Sequence, residues 1–293
     1  MTTTDQIREA LRSAQLPFRV VGAVLFGSQV KGTATPDSDF DLLIVAEGIP
    51  LERHHRSREI VSLSHCIPVL PLDILLLTPA ETLANFHSHN PLFLDIAEEG
   101  IPILDDNHWL ANLIQQTRRY IREKGIRRCG DGWIFPVKRG VPTPLSEVSN
   151  FDFAQAMLQD GQRDYEIGKQ ITESGYYDKA VYHFQQAVEK GVKAILIAMG
   201  ISQKTHFVGK ILRQIVWDTE SLHDWQARLL EVAEISEGIE PEVSLSRYPG
   251  VIERELWLPF ERYRRERAIS ACADAGKVLD VSRAFLEDWF ANE

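Results

Sequence analysis

The sequence predicts an α/β unit followed by an all-α helical bundle, and three observations carry that prediction. Apolar runs of strand length alternate with helical periods up to about residue 126; a glycine- and proline-rich, net-basic stretch follows; from residue 151 onward every apolar period is helical. With 293 residues, 44% of them apolar and 25% charged, the chain has the composition of a folded globular protein and enough length for two cores.

In order, Thr4 to Gln15 reads as a short amphipathic helix with Ile7, Ala10, Leu11 and Ala14 on one face and Thr3 or Thr4 as its cap. Arg19 to Phe26 is a valine-rich strand ending in Gly27-Ser28, and Phe40 to Ala46 is a second, after a loop with Gly32, Pro36 and Asp37. Leu51 to His65 has helical periodicity, and Leu70 to Thr78 is a third strand. Pro79 opens a helix that reaches about Glu99, Ile101 to Leu104 is a small fourth strand, and Asn107 to Ile126 is a helix with a basic end suited to the helix dipole.

These residues, 1–126, make the first predicted domain, and 127–150 the linker, with Gly130, Gly132, Pro136, Gly140, Pro142 and Pro144. The blocks 1–126, 127–150 and 151–293 carry −5, +2 and −7 of the net −10. The linker is therefore the one net-basic block, and it reads first as a solvated loop. Residues 151–293 are the predicted helical bundle, with helical periods at about 152–173, 176–199, 208–217, 222–235 and 251–291 and no need for strands.

Several function classes fall away on composition. A net charge of −10 argues against a protein that coats nucleic acid, because nonspecific affinity comes from neutralised phosphates. Cys66, Cys129 and Cys272 are too few and too scattered for a disulfide framework or a paired zinc site, which predicts a reduced, cytoplasmic setting. No stretch reaches the roughly 18 apolar residues of a membrane span, and Met1 to Gln15 lacks a signal pattern, so export is not expected.

The chemistry is concentrated between Gly27 and Val45. Asp39 and Asp41 are two apart at the start of a strand, so both carboxylates project from one face while Phe40 and Leu42 take the other. Two like charges side by side call for a cation, and hard oxygen ligands suit Mg²⁺ or Mn²⁺ shared with a substrate's phosphates. Gly27-Ser28 follows a strand, where free backbone N–H groups and a hydroxyl can hold phosphate oxygens. Asp73, alone in the apolar run Leu70 to Leu77, is costly there unless paired or metal-bound. Beside the Asp39/Asp41 strand it would complete a three-carboxylate site for two ions, or take the proton of an attacking hydroxyl.

Gly27-Ser28, ten residues, then Asp39-x-Asp41 and the later strand aspartate Asp73 resemble the signature of the minimal nucleotidyltransferases of the DNA polymerase beta-like superfamily, over residues 19–105. The resemblance implies an α/β (α+β) domain with a small mixed sheet. It also implies transfer of a nucleoside monophosphate from a triphosphate to a hydroxyl, with Asp39 and Asp41 as metal ligands and Asp73 as the third carboxylate. Gly27, Ser28 and Lys31 are the nucleotide-binding candidates; members commonly carry an arginine or similar basic residue in the segment after Gly-Ser, and this chain departs from that with Gln29-Val30-Lys31, leaving Lys31 as the substitute phosphate contact.

The run Gly175 to Ala194, with Gln185-Gln186-Ala187-x-Glu189-Lys190, then Lys204-Thr205-His206 and Arg247-Tyr248-Pro249, resembles the helical HEPN (higher eukaryotes and prokaryotes nucleotide-binding) family over residues 151–290. Ala180, Phe184, Ala187, Val188, Gly191 and Ile195 form a small-residue stripe expected in the core. Many HEPN domains are ribonucleases with an Arg-x4–6-His motif, but the one pair at that spacing, Arg58 and His65, lies in the first domain, which disfavours that activity. His183, His206 and the aromatics Trp257, Phe260 and Tyr263 read first as structural residues, and Arg262 to Arg267 as a solvated face.

The expected function is a metal-dependent nucleotidyltransferase moving AMP from ATP to a hydroxyl of a protein or small-molecule acceptor, with a homodimer through the helical domain. The competing reading is a nucleotide-binding or interaction module without turnover, related to HEPN–nucleotidyltransferase toxin–antitoxin systems.

Overall fold

The computed structural model describes residues 3–68, 70–145, 147–252 and 254–291. The chain divides into two units, Met1–Ile126 and Arg127–Glu293.

The first unit runs α1 (Thr3–Ser13), β1 (Arg19–Phe26), α2 (Ser28–Lys31), β2 (Phe40–Glu47), α3 (Ser57–Cys66), β3 (Leu72–Leu77), α4 (Pro79–His87), α5 (Pro91–Glu99), β4 (Ile101–Asp105) and α6 (Trp109–Lys124). Its sheet has the order β3-β2-β1-β4, with β2 parallel to β3 and β1 antiparallel to both β2 and β4. The predicted small mixed sheet is therefore observed. Strand alternation sorts its side chains onto two cores. Ala23, Leu25, Leu42, Ile44 and Leu76 meet Ile7, Leu11 and Leu63 on one face, and Val24, Phe26, Leu43, Val45 and Leu77 meet Phe86, Phe93, Ile96 and Leu110 on the other. Strands clothed on both faces read as continuous apolar runs, which is the pattern of Leu42 to Ala46.

Two predicted helices differ in detail. The helix expected over 79–99 is two, because Pro91 removes a backbone donor and disfavours helical geometry at Asn90, which takes ψ 133°; His89 takes φ 52° at the corner. Each half has its own start: the Thr78 and Glu81 side chains cap α4 reciprocally, and Asn90 accepts the Leu92 N–H at 3.0 Å. The helix expected from Leu51 begins only at Ser57, after a single 3₁₀ turn at Arg53–His55.

Arg56 fixes that turn. Its side chain is 1% exposed, and it donates to the carbonyls of Pro50 at 2.7 Å, Leu51 at 2.6 Å and Leu76 at 3.0 Å, and to Glu81 at 2.8 Å. Burial would raise the Glu81 carboxyl. Hydrogen bonds from Arg56, the Thr78 backbone, Arg53 and the Thr78 hydroxyl outweigh it and bring the pKa from 4.5 to about 2.

The second unit runs β5 (Arg127–Cys129), β6 (Gly132–Ile134), α7 (Asn150–Glu173), α8 (Tyr177–Ala198), β7 (Ile201–Ser202), α9 (Gly209–Asp218), α10 (Gln226–Ile239), α11 (Glu242–Leu245), β8 (Gly250–Ile252), β9 (Glu255–Trp257), α12 (Pro259–Arg262) and α13 (Arg265–Trp289). It is predominantly helical, as expected, with α7, α8 and α13 at its centre. Gly168 lets α7 approach α8, since a Cβ there would sit 2.6 Å from Phe184. The predicted stripe is core: Ala180, Phe184, Ala187, Val188 and Ile195 are fully buried.

The strands of this unit were not expected. β5 and β6, inside the segment read as a linker, form a hairpin whose second strand pairs with β7. Trp133, 2% exposed, anchors it, so apolar burial rather than turn composition decides that stretch. The helix expected from 251 begins at Arg265, after the hairpin β8-β9, and this leaves Phe260 64% exposed while Tyr263 is buried.

Candidate active site

One row of residues crosses three strands at one end of the first unit's sheet. Phe26, the last residue of β1, pairs with Asp41 near the start of β2, and Asp41 pairs with Asp73 near the start of β3. Adjacent strands run about 4.8 Å apart, so side chains on neighbouring members of such a row can share a ligand. Alternation puts Asp41 on the face of Leu43 and Val45, and Asp73 on the face of Leu75 and Leu77. Phe26, Asp41, Asp73, Ile74, Leu75 and Leu92 together line a cavity of about 250 Å³.

Gly27 turns the chain at this end. It adopts φ 76° and ψ −154°, a region essentially restricted to glycine, and a Cβ there would lie 1.9 Å from Asp41 Oδ2. Glycine is required twice, for the backbone conformation and for the approach of the turn to the carboxylate. Ser28 opens α2, whose first turn closes when Val30 and Lys31 donate their N–H groups to the Gly27 carbonyl at 3.1 Å. Lys31 pairs with Glu99 at 3.2 Å, so its ammonium is already engaged by α5.

Asp39 is exposed in the loop one residue before β2. That loop is tied down from inside: Gln29 donates to the Ser38 carbonyl at 3.0 Å, and the Ser38 hydroxyl accepts the Thr35 N–H at 2.9 Å. The Gln29 amide thereby holds the segment that leads into Asp39.

Asp73 departs from its sequence rationale. It is exposed, because β3 is an edge strand and Asp73 is only its second residue, so no burial penalty demands a partner. Among the described residues, neither Asp39 nor Asp73 makes an ion pair or hydrogen bond within the protein. Nor do Asp39, Asp41 and Asp73 form a set whose oxygens all lie within 4.8 Å of one another.

Leu92 was not foreseen as a lining residue, since its place depends on how α5 packs on the sheet. The corner before it is ordered by His89, whose ring stacks on Tyr120 with centroids 3.4 Å apart. Burial, aided by the neighbouring His87, lowers the His89 pKa, and burial raises that of Tyr120.

The second unit's candidate histidines are held by acids. His183 Nδ1 lies 2.9 Å from Asp164, which also binds Lys190, and His206 Nδ1 lies 3.0 Å from Glu189, which also binds Lys193 at 2.8 Å. The Asp164 carboxyl is favoured by burial in its neutral form, but His183 and Lys190 hold its pKa below the usual value. Both arrangements are carboxylates compensated inside helix packing. Arg267 is likewise committed to Glu242 at 2.8 Å, and Arg262 to Glu255 at 3.3 Å.

Comparison with known proteins gives two family matches, the nucleotidyltransferase domain over residues 4–103 and the HEPN domain over residues 154–285. A Methanocaldococcus jannaschii protein named Putative toxin MJ1304 is 34% identical over 139 residues, covering 47% of this chain and 91% of the relative. A second protein of that organism, named Putative protein adenylyltransferase MJ1305, is 28% identical over 106 residues, covering 35% of this chain and 71% of the relative. Among solved structures, ST0689, an archaeal HEPN homologue, is 24% identical with a TM-score of 0.35, over 45% of this chain and 97% of that one.

Proposed function

The chain belongs to the nucleotidyltransferase domain family through its first unit and to the HEPN domain family through its second, and from that premise we propose that it is a metal-dependent nucleotidyltransferase. The reaction moves a nucleoside monophosphate, AMP from ATP, to a hydroxyl of a protein or small-molecule acceptor, and releases pyrophosphate. The observation that carries this reading is the row Phe26–Asp41–Asp73 with the Gly27 turn pressed against Asp41.

The donor set suits a divalent cation. Asp41 and Asp73 sit side by side over a cavity, Asp39 lies two residues before Asp41 just outside β2, and all three offer hard oxygen ligands of the kind Mg²⁺ and Mn²⁺ take. Bound there, such an ion supplies charge neutralisation for the triphosphate and the departing pyrophosphate. Asp39 and Asp73, exposed and without protein partners among the described residues, are free to turn toward the shared ligand.

The remaining work falls to protein groups. Gly27 brings its backbone within reach of phosphate oxygens, and the Ser28 N–H and hydroxyl donate to them. Lys31 adds positive charge near the β- and γ-phosphates if it leaves Glu99. Asp73, at the open edge of the sheet, accepts the proton of the attacking hydroxyl. Leu92 and Phe26 limit water around the reacting phosphorus.

The names of the two Methanocaldococcus relatives support a toxin–antitoxin setting, in which a protein hydroxyl is the natural acceptor. A second copy of the chain, paired through the helical unit, is part of this proposal; a monomeric mass in light scattering at micromolar concentration contradicts that part.

The test is incubation with each α-labelled nucleoside triphosphate and Mg²⁺, following label into protein, RNA and small alcohols. Label from ATP moves with wild type and not with Asp39→Ala/Asp41→Ala. Equal transfer by the variant refutes the site, and no transfer together with no Mg²⁺-dependent nucleotide binding refutes the activity.

A further inference from the structure

The loop between β2 and α3 holds a group of side chains of metal-ligating type at the other end of the sheet. β2 starts beside Asp41 and ends at Glu47, so about 20 Å of strand separates this loop from the carboxylate row. On the loop, Glu52, His54 and His55 place one carboxylate oxygen and two imidazole nitrogens within 4.8 Å of one another. His54 Nε2 is 3.2 Å and His55 Nδ1 is 3.4 Å from the same oxygen of Glu52.

Those spacings match a tetrahedral centre. Zinc binds imidazole nitrogen and carboxylate oxygen at about 2.0–2.2 Å, which sets neighbouring ligand atoms of a tetrahedron roughly 3.3–3.6 Å apart. Two edges of the figure are therefore already at or near length before any ion arrives. The side chains are 65%, 72% and 62% exposed for Glu52, His54 and His55, so an ion enters from solvent and water completes its coordination.

The backbone that presents these ligands is not loose. Arg56, almost fully buried, donates to the carbonyls of Pro50 and Leu51 and to Leu76 in β3, while Arg53 and Arg56 both bind Glu81. The turn carrying the two histidines is thus clamped on both sides to β3 and α4. A preset ligand turn lowers the ordering cost of binding, as any preorganised site does.

The donor types also differ from those of the sheet end. Imidazole nitrogen selects borderline cations such as Zn²⁺, Ni²⁺ and Cu²⁺, whereas an all-carboxylate set suits Mg²⁺ and Mn²⁺. We propose that Glu52, His54 and His55 form a binding site for a first-row transition-metal cation of the Zn²⁺ type, chemically distinct from the Asp39/Asp41/Asp73 site.

The experiment is calorimetric titration of the tag-free full chain with Zn²⁺ at about pH 7.5. It is repeated on His54→Ala, His54→Ala/His55→Ala and Asp41→Asn/Asp73→Asn, with circular dichroism checking that each variant is folded. The proposal expects one Zn²⁺ site at micromolar affinity, weakened about tenfold or more by His54→Ala, abolished by the double histidine variant and unchanged in the aspartate variant. Absence of Zn²⁺ binding by wild type below about 100 µM, or unchanged binding in the double histidine variant, overturns it. Neither result depends on nucleotide transfer.

Discussion

Acidic side chains are used in opposite ways in the two units. In the helical unit, Asp164 faces His183 and Lys190, Glu189 faces Lys193 and His206, and Glu242 is bonded to Tyr263 and Arg267. Burial and the bond to Glu242 push the Tyr263 hydroxyl pKa well above its usual value. At the end of the α/β sheet, Asp39 and Asp73 have no such partner among the described residues, and the Gly27 turn closes on Asp41. A buried carboxylate without a counter-charge is costly, so the helices neutralise theirs internally. The sheet end keeps Asp39 and Asp73 exposed at its rim, and under the proposed function a cation from solution supplies the counter-charge there. Acid content alone would not separate the two units; the partners do.

The contrast breaks most decisively at Asp41. Under the proposed function Asp41→Asn should lower nucleotide transfer by about 10³-fold or more, since a lost metal ligand would forfeit several kcal/mol of charge stabilisation. Its melting temperature should change little, and a large fall in stability would instead give Asp41 the structural role that Glu189 has.

Arg56 tests the opposite case inside the first unit. Arg56→Ala removes the buried donor to three backbone carbonyls and leaves Glu81 only Arg53 and Thr78, and should cost about 3–5 kcal/mol in urea unfolding. A loss under about 1 kcal/mol would mean that the pair behaves as a surface ion pair.

Gly27 and Gly32 separate conformation from contact. Both have positive φ, 76° and 73°, but a Cβ at Gly32 meets nothing within 4 Å while one at Gly27 meets Asp41. Gly27→Ala should cost about 1–3 kcal/mol and most of the activity, and Gly32→Ala about 1–2 kcal/mol with activity kept. Equal losses of activity would show that the approach to Asp41 does not matter.

The smallest effect is acid sensitivity. Glu81 has its folded pKa lowered to about 2 from 4.5, so its stabilising contribution is fully present above pH 4.5 and fades as pH falls toward 2. Glu81→Gln should flatten the stability profile across that window and leave the profile above it parallel to wild type, measured by thermal melts at stepped pH.

The order of strands and helices in the first unit was legible because β1 and β2 are covered on both faces and read as unbroken apolar runs. Asp39, Asp41 and the Gly27 turn were legible through spacing. Asp73 was reached by a burial argument that does not apply, since it sits at the exposed start of an edge strand; its register with Asp41 is what places it. The pairing of Arg56 with Glu81 gave no sequence signal, because 25 residues separate them and it exists only once α3, β3 and α4 are assembled. The hairpins β5-β6 and β8-β9 were hidden for a related reason, being three-residue strands too short for a period to show.

The most direct measurement is a Mn²⁺ titration in the presence of ATP, read by the loss of the free-ion electron paramagnetic resonance signal, on wild type, on Asp39→Asn/Asp41→Asn and on Glu189→Gln. If the sheet end holds the metal–nucleotide complex, wild type and Glu189→Gln should remove Mn²⁺ from solution alike, and the double aspartate variant should bind at least about tenfold more weakly. Equal binding by all three would contradict the assignment of the carboxylate row as the metal and nucleotide site.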